Sequence, residues 1–440
     1  MARRHVLIGG GAATMAAAEA IRGADDGAEI VVVSADPHGY YSRPGLAYYL
    51  TREIPEDRLF PFTPDDVRRL DLAWVTESAM AIDPAGHRVT LESGRQLVYD
   101  RLLLATGSQA IGARVPGAEL DGVVKLDGMD DARDIIRRSA RAKAAVVVGG
   151  GITALEIVEG LRARGLHVHY FMRKDRYWSN VLSESESRIV ERELRREGVE
   201  MHTFTDLAAI RGRGGRVTAV ETGDGAVIPC DLVAVAVGVR PRIDLAQSAG
   251  LPCARGVLVD EYLRAGDPDI YAAGDIAETV DAHTGHRTLE VLWNPALLKG
   301  RVAGLNMAAE PVHVYEQDAS INVTRLAGLH TTIIGTVGSG TDADLEGLSR
   351  GDSQMWSELS DETTVEAQRG DAHVRLALGE HTIAGAVVIG DQTLSYPLQE
   401  LIDARVRATN VVATPEAPLV ELINGLWTDW KAGRAQVCRA

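Results

Sequence analysis

RHVLIGGGAATMAAAEAIR, Arg4–Arg22, and AAVVVGGGITALEIVEGLR, Ala144–Arg162, share one layout: an apolar run, three glycines and an amphipathic stretch of helical period. Each reads as strand, tight turn and helix. The glycines carry the chemistry, because a backbone without Cβ can turn sharply at Gly9 and Gly149 and approach a pyrophosphate at Gly11 and Gly151. The phosphate charge then faces the positive end of a helix dipole. The third position of the G-x-G-x-x-G pattern is Thr14 in the first copy and Ala154 in the second. Alanine is an accepted variant, whereas Thr14 must crowd the helix against the strand or shift its packing. Two such units in one chain predict two dinucleotide sites.

In such a unit the second strand normally ends in an acid that binds the ribose hydroxyls. EIVVVS ends instead at Ser34, with Asp36 two residues on, so the hydroxyl or the displaced carboxylate takes that role. HVHYFM ends at Met172 and is followed by Arg173, Lys174, Asp175 and Arg176. Basic residues at this place favour a 2′-phosphate, so NADPH is expected over NADH.

The rest of the chain bounds the class. At 440 residues it exceeds one compact core, which predicts two or three domains. An apolar fraction of 45% with 25% charged residues, and no run of 18 or more apolar residues, indicates a globular chain without a membrane span. A net charge of -16 argues against a nucleic-acid partner, which needs a basic face. MARRHVLIGGG leaves no room for a signal peptide's apolar region, so a cytoplasmic location is expected. Cys230, Cys253 and Cys438 are too few and too scattered for a disulfide framework or a CxxC pair. His283 and His286 in HTGH lack a completing ligand set, so no metal is expected there or elsewhere. The segment 339–362 is acidic and reads as a solvated surface containing Trp356.

Two further segments, YDRLLLATGSQA at Tyr99–Ala110 and DPDIYAAGDIAET at Asp267–Thr279, fix the reading. With the two glycine loops, in this order, they resemble the two-dinucleotide-binding flavoproteins of the pyridine nucleotide-disulfide oxidoreductase-like family, over about residues 1–311. The resemblance implies an α/β fold with two Rossmann-like dinucleotide-binding domains, the NAD domain inserted in the FAD domain, and a C-terminal α+β interface domain. Residues 1–110 and 244–311 would bind FAD, 111–243 NADPH or NADH, and 312–440 would mediate a homodimer. It implies that Thr106 and Gly107 close the FAD domain and that Gly274 and Asp275 meet the flavin's ribityl chain. Gly238, in LVAVAVGVRPR, would end the NAD domain, and Glu156 would orient the nicotinamide. The run Val291–Met307 resembles the family's flavin-end helix, with Trp293 at the flavin edge. HTTIIGTV, His330–Val337, and the run Val365–Gly390 read as strands of the third part, followed by an amphipathic helix in PLQELIDARV.

GYYSRPGLAYYL, Gly39–Leu50, is the segment that sets the chemistry. In the coenzyme A-disulfide reductase branch of the family a redox cysteine precedes the Gly-Leu-x-Tyr-Tyr run; here Pro44 occupies that place. Proline cannot be a nucleophile, so thiol relay by the usual route is excluded. What remains is a flavin wall in which Tyr40 and Tyr41 pack beside the flavin, and Arg43 faces a negatively charged acceptor. The segment also resembles the ferredoxin- and rubredoxin-reductase branch and the flavin module of nitrite reductases. The implied function is an FAD-dependent NAD(P)H oxidoreductase passing electrons to a redox carrier protein or a small inorganic acceptor. An oxidase that uses oxygen, and a redox-responsive flavoprotein whose reduced state changes partner binding, are the open alternatives.

Overall fold

The computed structural model describes residues 2–280, 285–316, 319–338, 363–369, 372–379, 381–408 and 419–437. His283, Trp356, Cys438 and the acidic segment 339–362 lie outside them.

The first glycine unit lies at the centre of a six-stranded sheet. Strand Arg4–Ile8 pairs in parallel with Glu29–Val33 on one side and Arg101–Leu104 on the other, with Val6 opposite Val31 and Leu102. Leu72–Val75 extends one flank, and Ile270–Ala272 extends the other in parallel before Arg264–Asp267 closes the edge antiparallel. The central strands are apolar and buried on both faces, as a parallel sheet covered by helices requires. This sheet therefore joins the beginning of the chain to residues near 270.

The second unit repeats the plan. Ala144–Val148 pairs in parallel with His167–Phe171 and Leu232–Val235, and the sheet extends to Glu200–His202 and Val123–Val124. Each parallel sheet has a small antiparallel meander, formed by Ala79–Asp83, Arg88–Leu91 and Gln96–Val98 in the first case. In the second it is Leu207–Arg213, Arg216–Thr222 and Val227–Pro229. Chain passes from one sheet to the other through adjacent strands: Ser108–Ala110 pairs antiparallel with Val239–Pro241, and Ile111 N–H donates to the Gly238 carbonyl at 2.9 Å.

The last part is a five-stranded antiparallel sheet in the order Ile321–Leu326, Leu329–Gly335, Ile383–Ile389, Ala372–Leu378, Thr363–Arg369. Helix Ser395–Asp403 packs on it, and Trp427 of the helix Leu419–Val437 donates to Glu400 at 2.8 Å. The sheet is fastened to the second parallel unit through Arg375, whose buried guanidinium reaches Glu186 at 3.0 Å and the carbonyls of Val337 and Val181 at 2.6 and 2.8 Å.

A second fastening is sequence-readable only in hindsight. Helix Trp293–Ala308 lies directly on the first glycine-loop helix, Ala12–Ala24. A Cβ at Gly300 would stand 2.2 Å from the Ala13 carbonyl oxygen, and one at Gly304 2.5 Å from that of Ala17. The glycines permit this contact, and the contact aims the start of the Trp293 helix at the first glycine loop.

Candidate active site

Gly9 has φ +123°, and a Cβ there would be 2.0 Å from the Ala105 carbonyl oxygen. Gly149 repeats this, with φ +147° and a clash at 2.1 Å with the Ala236 carbonyl. Both turns are therefore closed to any other residue. The helices that follow start at Gly11 and Gly151, and neither has a side-chain cap or an acid in its first turn. By contrast, helices Pro64–Leu70 and Glu184–Arg196 are capped by Thr63 and Ser183, each with a capping box. Leaving orphan N–H groups and a bare positive dipole end at both glycine loops is what phosphate binding needs. A Cβ at Gly11 would meet open space.

In front of the first loop lies a cleft of about 940 Å³, near the top of the range of about 300–1,000 Å³ for small-molecule sites. Of the predicted cofactor residues, Gly9, Gly11, Ser34, Asp36, Arg43, Pro44, Thr106, Gly107, Gly274, Asp275 and Trp293 line it. Ser34 accepts from the Asp36 N–H at 3.2 Å. The Asp36 carboxylate accepts from the Tyr41 hydroxyl at 3.0 Å and the His38 N–H at 3.0 Å, and lies 3.7 Å from the Arg43 guanidinium. Thr106 donates to the Arg242 carbonyl at 2.8 Å, and Ser108 to Asp275 at 2.6 Å. Thr14 is fully buried within its helix and does not line the cleft.

The tyrosine segment forms one wall. Pro44 precedes the short helix Gly45–Leu50 as its N-cap, and Leu46, Ala47 and Tyr48 face the cleft. Tyr41 lines the wall and accepts the Met129 N–H at 3.0 Å. Tyr40 stacks near Trp293, with ring centroids 6.2 Å apart. Tyr49 turns away and donates to Glu56 at 2.6 Å. Arg164 caps the end of this helix through the Leu50 carbonyl at 3.0 Å, so the wall is held by the second dinucleotide unit.

From that unit the helix Ile152–Ala163 presents Ile152, Thr153, Glu156 and Glu159 to the same cleft. Thr153 Oγ1 is buried with no partner there. Burial pushes the Glu159 carboxyl up to about 7, against the lowering effects of Arg325 and of the Gly328 N–H that it accepts at 3.1 Å. Gly149, Gly151, Ala154 and Gly238 lie outside the cleft lining around the second loop, and Arg173 and Lys174 are exposed at the end of strand His167–Phe171. The cleft thus gathers the residues expected at the flavin other than Thr14 and Tyr40, together with Glu156, whereas Gly151, Ala154 and Gly238 are buried outside it and Arg173 and Lys174 lie on the exposed surface.

Ser108, Arg242, Glu159, Asn322 and Arg325 also line the cleft and were not singled out from the sequence. Glu159 had a signal, being one helical turn beyond Glu156. Arg325 had none. It comes from the antiparallel sheet, lies over the Tyr48 ring at 5.6 Å and reaches Glu53 at 2.6 Å.

Two glycine turns with uncapped helices, a cleft that fits a dinucleotide and a second nucleotide unit reaching into that cleft define a flavin- and NAD(P)H-dependent oxidoreductase of α/β fold. Residues 3–295 match the family described as pyridine nucleotide-disulphide oxidoreductase, and the chain belongs to that family. It is 32% identical over 360 residues to the ferredoxin–NAD(+) reductase component of the biphenyl dioxygenase system of Paraburkholderia xenovorans, covering 79% of this chain and 84% of that one. It is also 32% identical over 322 residues to an NADH oxidase of Methanocaldococcus jannaschii, covering 71% of each. In fold it is similar to the ferredoxin reductase for the CYP199A2 system of Rhodopseudomonas palustris, with a TM-score of 0.80 and 24% identity over 90% of this chain and 93% of that one. Among the described residues no helix is long and apolar enough to cross a membrane.

Proposed function

We propose that this chain is an NAD(P)H-dependent flavoprotein reductase that passes electrons to a ferredoxin- or rubredoxin-type carrier, or to a small inorganic acceptor, without a redox-active cysteine. The observation that carries this reading is Pro44 in the cleft wall, with Cys230 and Cys253 both outside the cleft lining. The reductase among its relatives supports a carrier as acceptor. The NADH oxidase relative favours a second reading, in which oxygen takes the electrons.

FAD, when bound, accepts a hydride from NAD(P)H and releases the electrons to the acceptor. The chain's own residues do the binding and positioning. Gly9 and Gly11 admit the pyrophosphate to the bare end of helix Ala12–Ala24, while Ser34 and Asp36 take the ribose. Thr106, Gly107, Gly274 and Asp275 form the floor under the ribityl chain. Trp293 borders the flavin edge, and the first N–H groups of its helix, which lack a side-chain cap, stabilise negative charge there. Gly149, Gly151, Ala154 and Gly238 hold the second nucleotide, Glu156 orients the nicotinamide, and Arg173 and Lys174 select NADPH. Arg43 faces the acceptor.

The reading divides the chain into an FAD-binding part, 1–110 and 244–311, an inserted NAD(P)H-binding part, 111–243, and an interface part, 312–440. The exposed Val323, Tyr396 and Val420 of the last part support a homodimer. A cytoplasmic location accords with the carrier reading.

Rapid mixing tests the function. Protein reduced by NADPH is mixed with ferredoxin, rubredoxin or oxygen. Reoxidation by a carrier at least about tenfold faster than by oxygen, a barrier difference of about 1.4 kcal/mol, is expected. Oxygen as the fastest acceptor would replace this reading with the oxidase.

A further inference from the structure

Strands His167–Phe171 and Glu200–His202 lie side by side in parallel, with His169 opposite Glu200 and Phe171 opposite His202. Alternation along each strand places His167 and His169 on one face, and Glu200 and His202 on that same face. The side chains converge at the edge of the second parallel sheet. His167 Nε2 lies 3.2 Å from Glu200 Oε2, and His169 Nδ1 lies 3.5 Å from that same oxygen. His202 Nε2 lies 3.1 Å from His169 Nδ1 and 3.6 Å from Glu200 Oε1.

The separations of His167 and His169 from Glu200 are those of a coordination shell, and His202 lies beside this trio. Zinc bonds of about 2.0–2.1 Å at tetrahedral angles set neighbouring donor atoms about 3.3–3.4 Å apart, and the four distances bracket that value. The donor atoms of His167, His169 and Glu200 lie within 4.8 Å of one another. Three imidazoles and one carboxylate are a borderline-soft set that suits Zn²⁺ and disfavours Mg²⁺ or Ca²⁺.

We propose that His167 Nε2, His169 Nδ1 and a Glu200 oxygen form a Zn²⁺ site on the nucleotide-binding sheet, separate from the redox cleft, and that the neighbouring His202 turns its ring to supply the fourth donor. None of the four lines that cleft. The site cross-links two neighbouring parallel strands at the sheet edge. Its occupant is a divalent transition ion in a structural role, tying together two strands of the sheet.

The test uses the full-length, tag-free holoprotein after dialysis against a chelator. Calorimetric titration with ZnCl₂ is expected to give about one Zn²⁺ per chain with Kd below about 10 µM, and MgCl₂ to give no binding. His167→Gln, at an exposed position, and His169→Gln should each weaken Zn²⁺ binding by more than the 10- to 100-fold typical of losing an outer-shell partner. Substituting Co²⁺ should give the intense visible absorption of tetrahedral coordination. Zinc binding that is absent, or that is unchanged in the folded His167→Gln and His169→Gln variants, would overturn the proposal. Bound flavin reports folding independently of the metal.

Discussion

Ser108 donates a hydrogen bond of 2.6 Å to Asp275, joining strand Ser108–Ala110 to the single helical turn Gly274–Ile276. Both residues line the cleft, and the serine holds the carboxylate in place before any ligand arrives. Asp275→Ala is expected to weaken FAD retention by about tenfold or more, in line with the 1.5–3 kcal/mol of a hydrogen bond to a charged group. Ser108→Ala should have a smaller effect in the same direction. The flavin-to-protein absorbance ratio after gel filtration measures both.

Turnover should not depend on thiols. Burial pushes the Cys230 thiol up to about 12, and burial also raises that of Cys253. Neither is a ready thiolate, the form that reacts. A flavin-containing variant with Cys230, Cys253 and Cys438 all changed to alanine should keep at least about half of the wild-type kcat, a barrier change of under about 0.5 kcal/mol. A variant that accepts a hydride but no longer reduces the acceptor would show that a thiol relays electrons.

Coenzyme choice should follow the exposed pair Arg173 and Lys174. Changing both to alanine is expected to lower kcat/KM for NADPH by about 10- to 100-fold, through lost charge-assisted hydrogen bonds. The value for NADH should change little. Equal losses with both donors would assign the pair to general positioning of the dinucleotide.

Glu159 gives a pH signature. Its folded carboxyl titrates near 7 against an ordinary 4.5. Between those values the folded chain binds more protons at this group than the unfolded chain does, so the group's contribution to stability falls as pH rises from 4.5 to 7. Glu159→Gln should therefore match the wild type near pH 4.5 and exceed it above pH 7, by about 1–2 kcal/mol after allowing for partial exposure. Thermal unfolding across this range reads the difference, and a constant gap would remove Glu159 as its source.

Gly300→Ala should loosen the flavin. The added methyl would lie 2.2 Å from the Ala13 carbonyl oxygen and 2.7 Å from its Cα, both backbone atoms that cannot rotate away. The two helices must separate, a strain costing about 1–3 kcal/mol. A lower melting temperature with reduced FAD occupancy is expected, whereas Gly433→Ala, on an open helix surface, should leave both unchanged.

The fold was legible where backbone geometry dictates residue type. Gly9 and Gly149 are forced by positive φ and by a carbonyl at about the same distance, so the two units announce themselves in the sequence. The second strands were legible from continuous apolar runs such as EIVVV. The meanders were not, because exposed strands such as LAAIRGR carry no clean alternation. The helix Leu419–Val437 was also missed. In the site, residues on a glycine loop or a strand-end motif could be named, whereas Arg325 could not. Its place depends on how the antiparallel sheet packs against Glu53 and Tyr48. The histidine cluster was hidden for a related reason: HVHYF and EMH become neighbours only through strand register, which no local spacing records.

The adjacency of Ile111 and Gly238 changes how the chain can assemble. Once the second parallel sheet has formed, everything between these residues spans a gap closed by one hydrogen bond, and for the first sheet it is equivalent to a hairpin turn. The free chain that must be closed to join residue 104 to residue 270 then falls from about 165 residues to about 40, and closure cost follows that effective length. The pairing of Leu102 with Ile270 therefore closes a shorter effective loop. An inserted unit that condenses first therefore eases closure of the outer sheet around it.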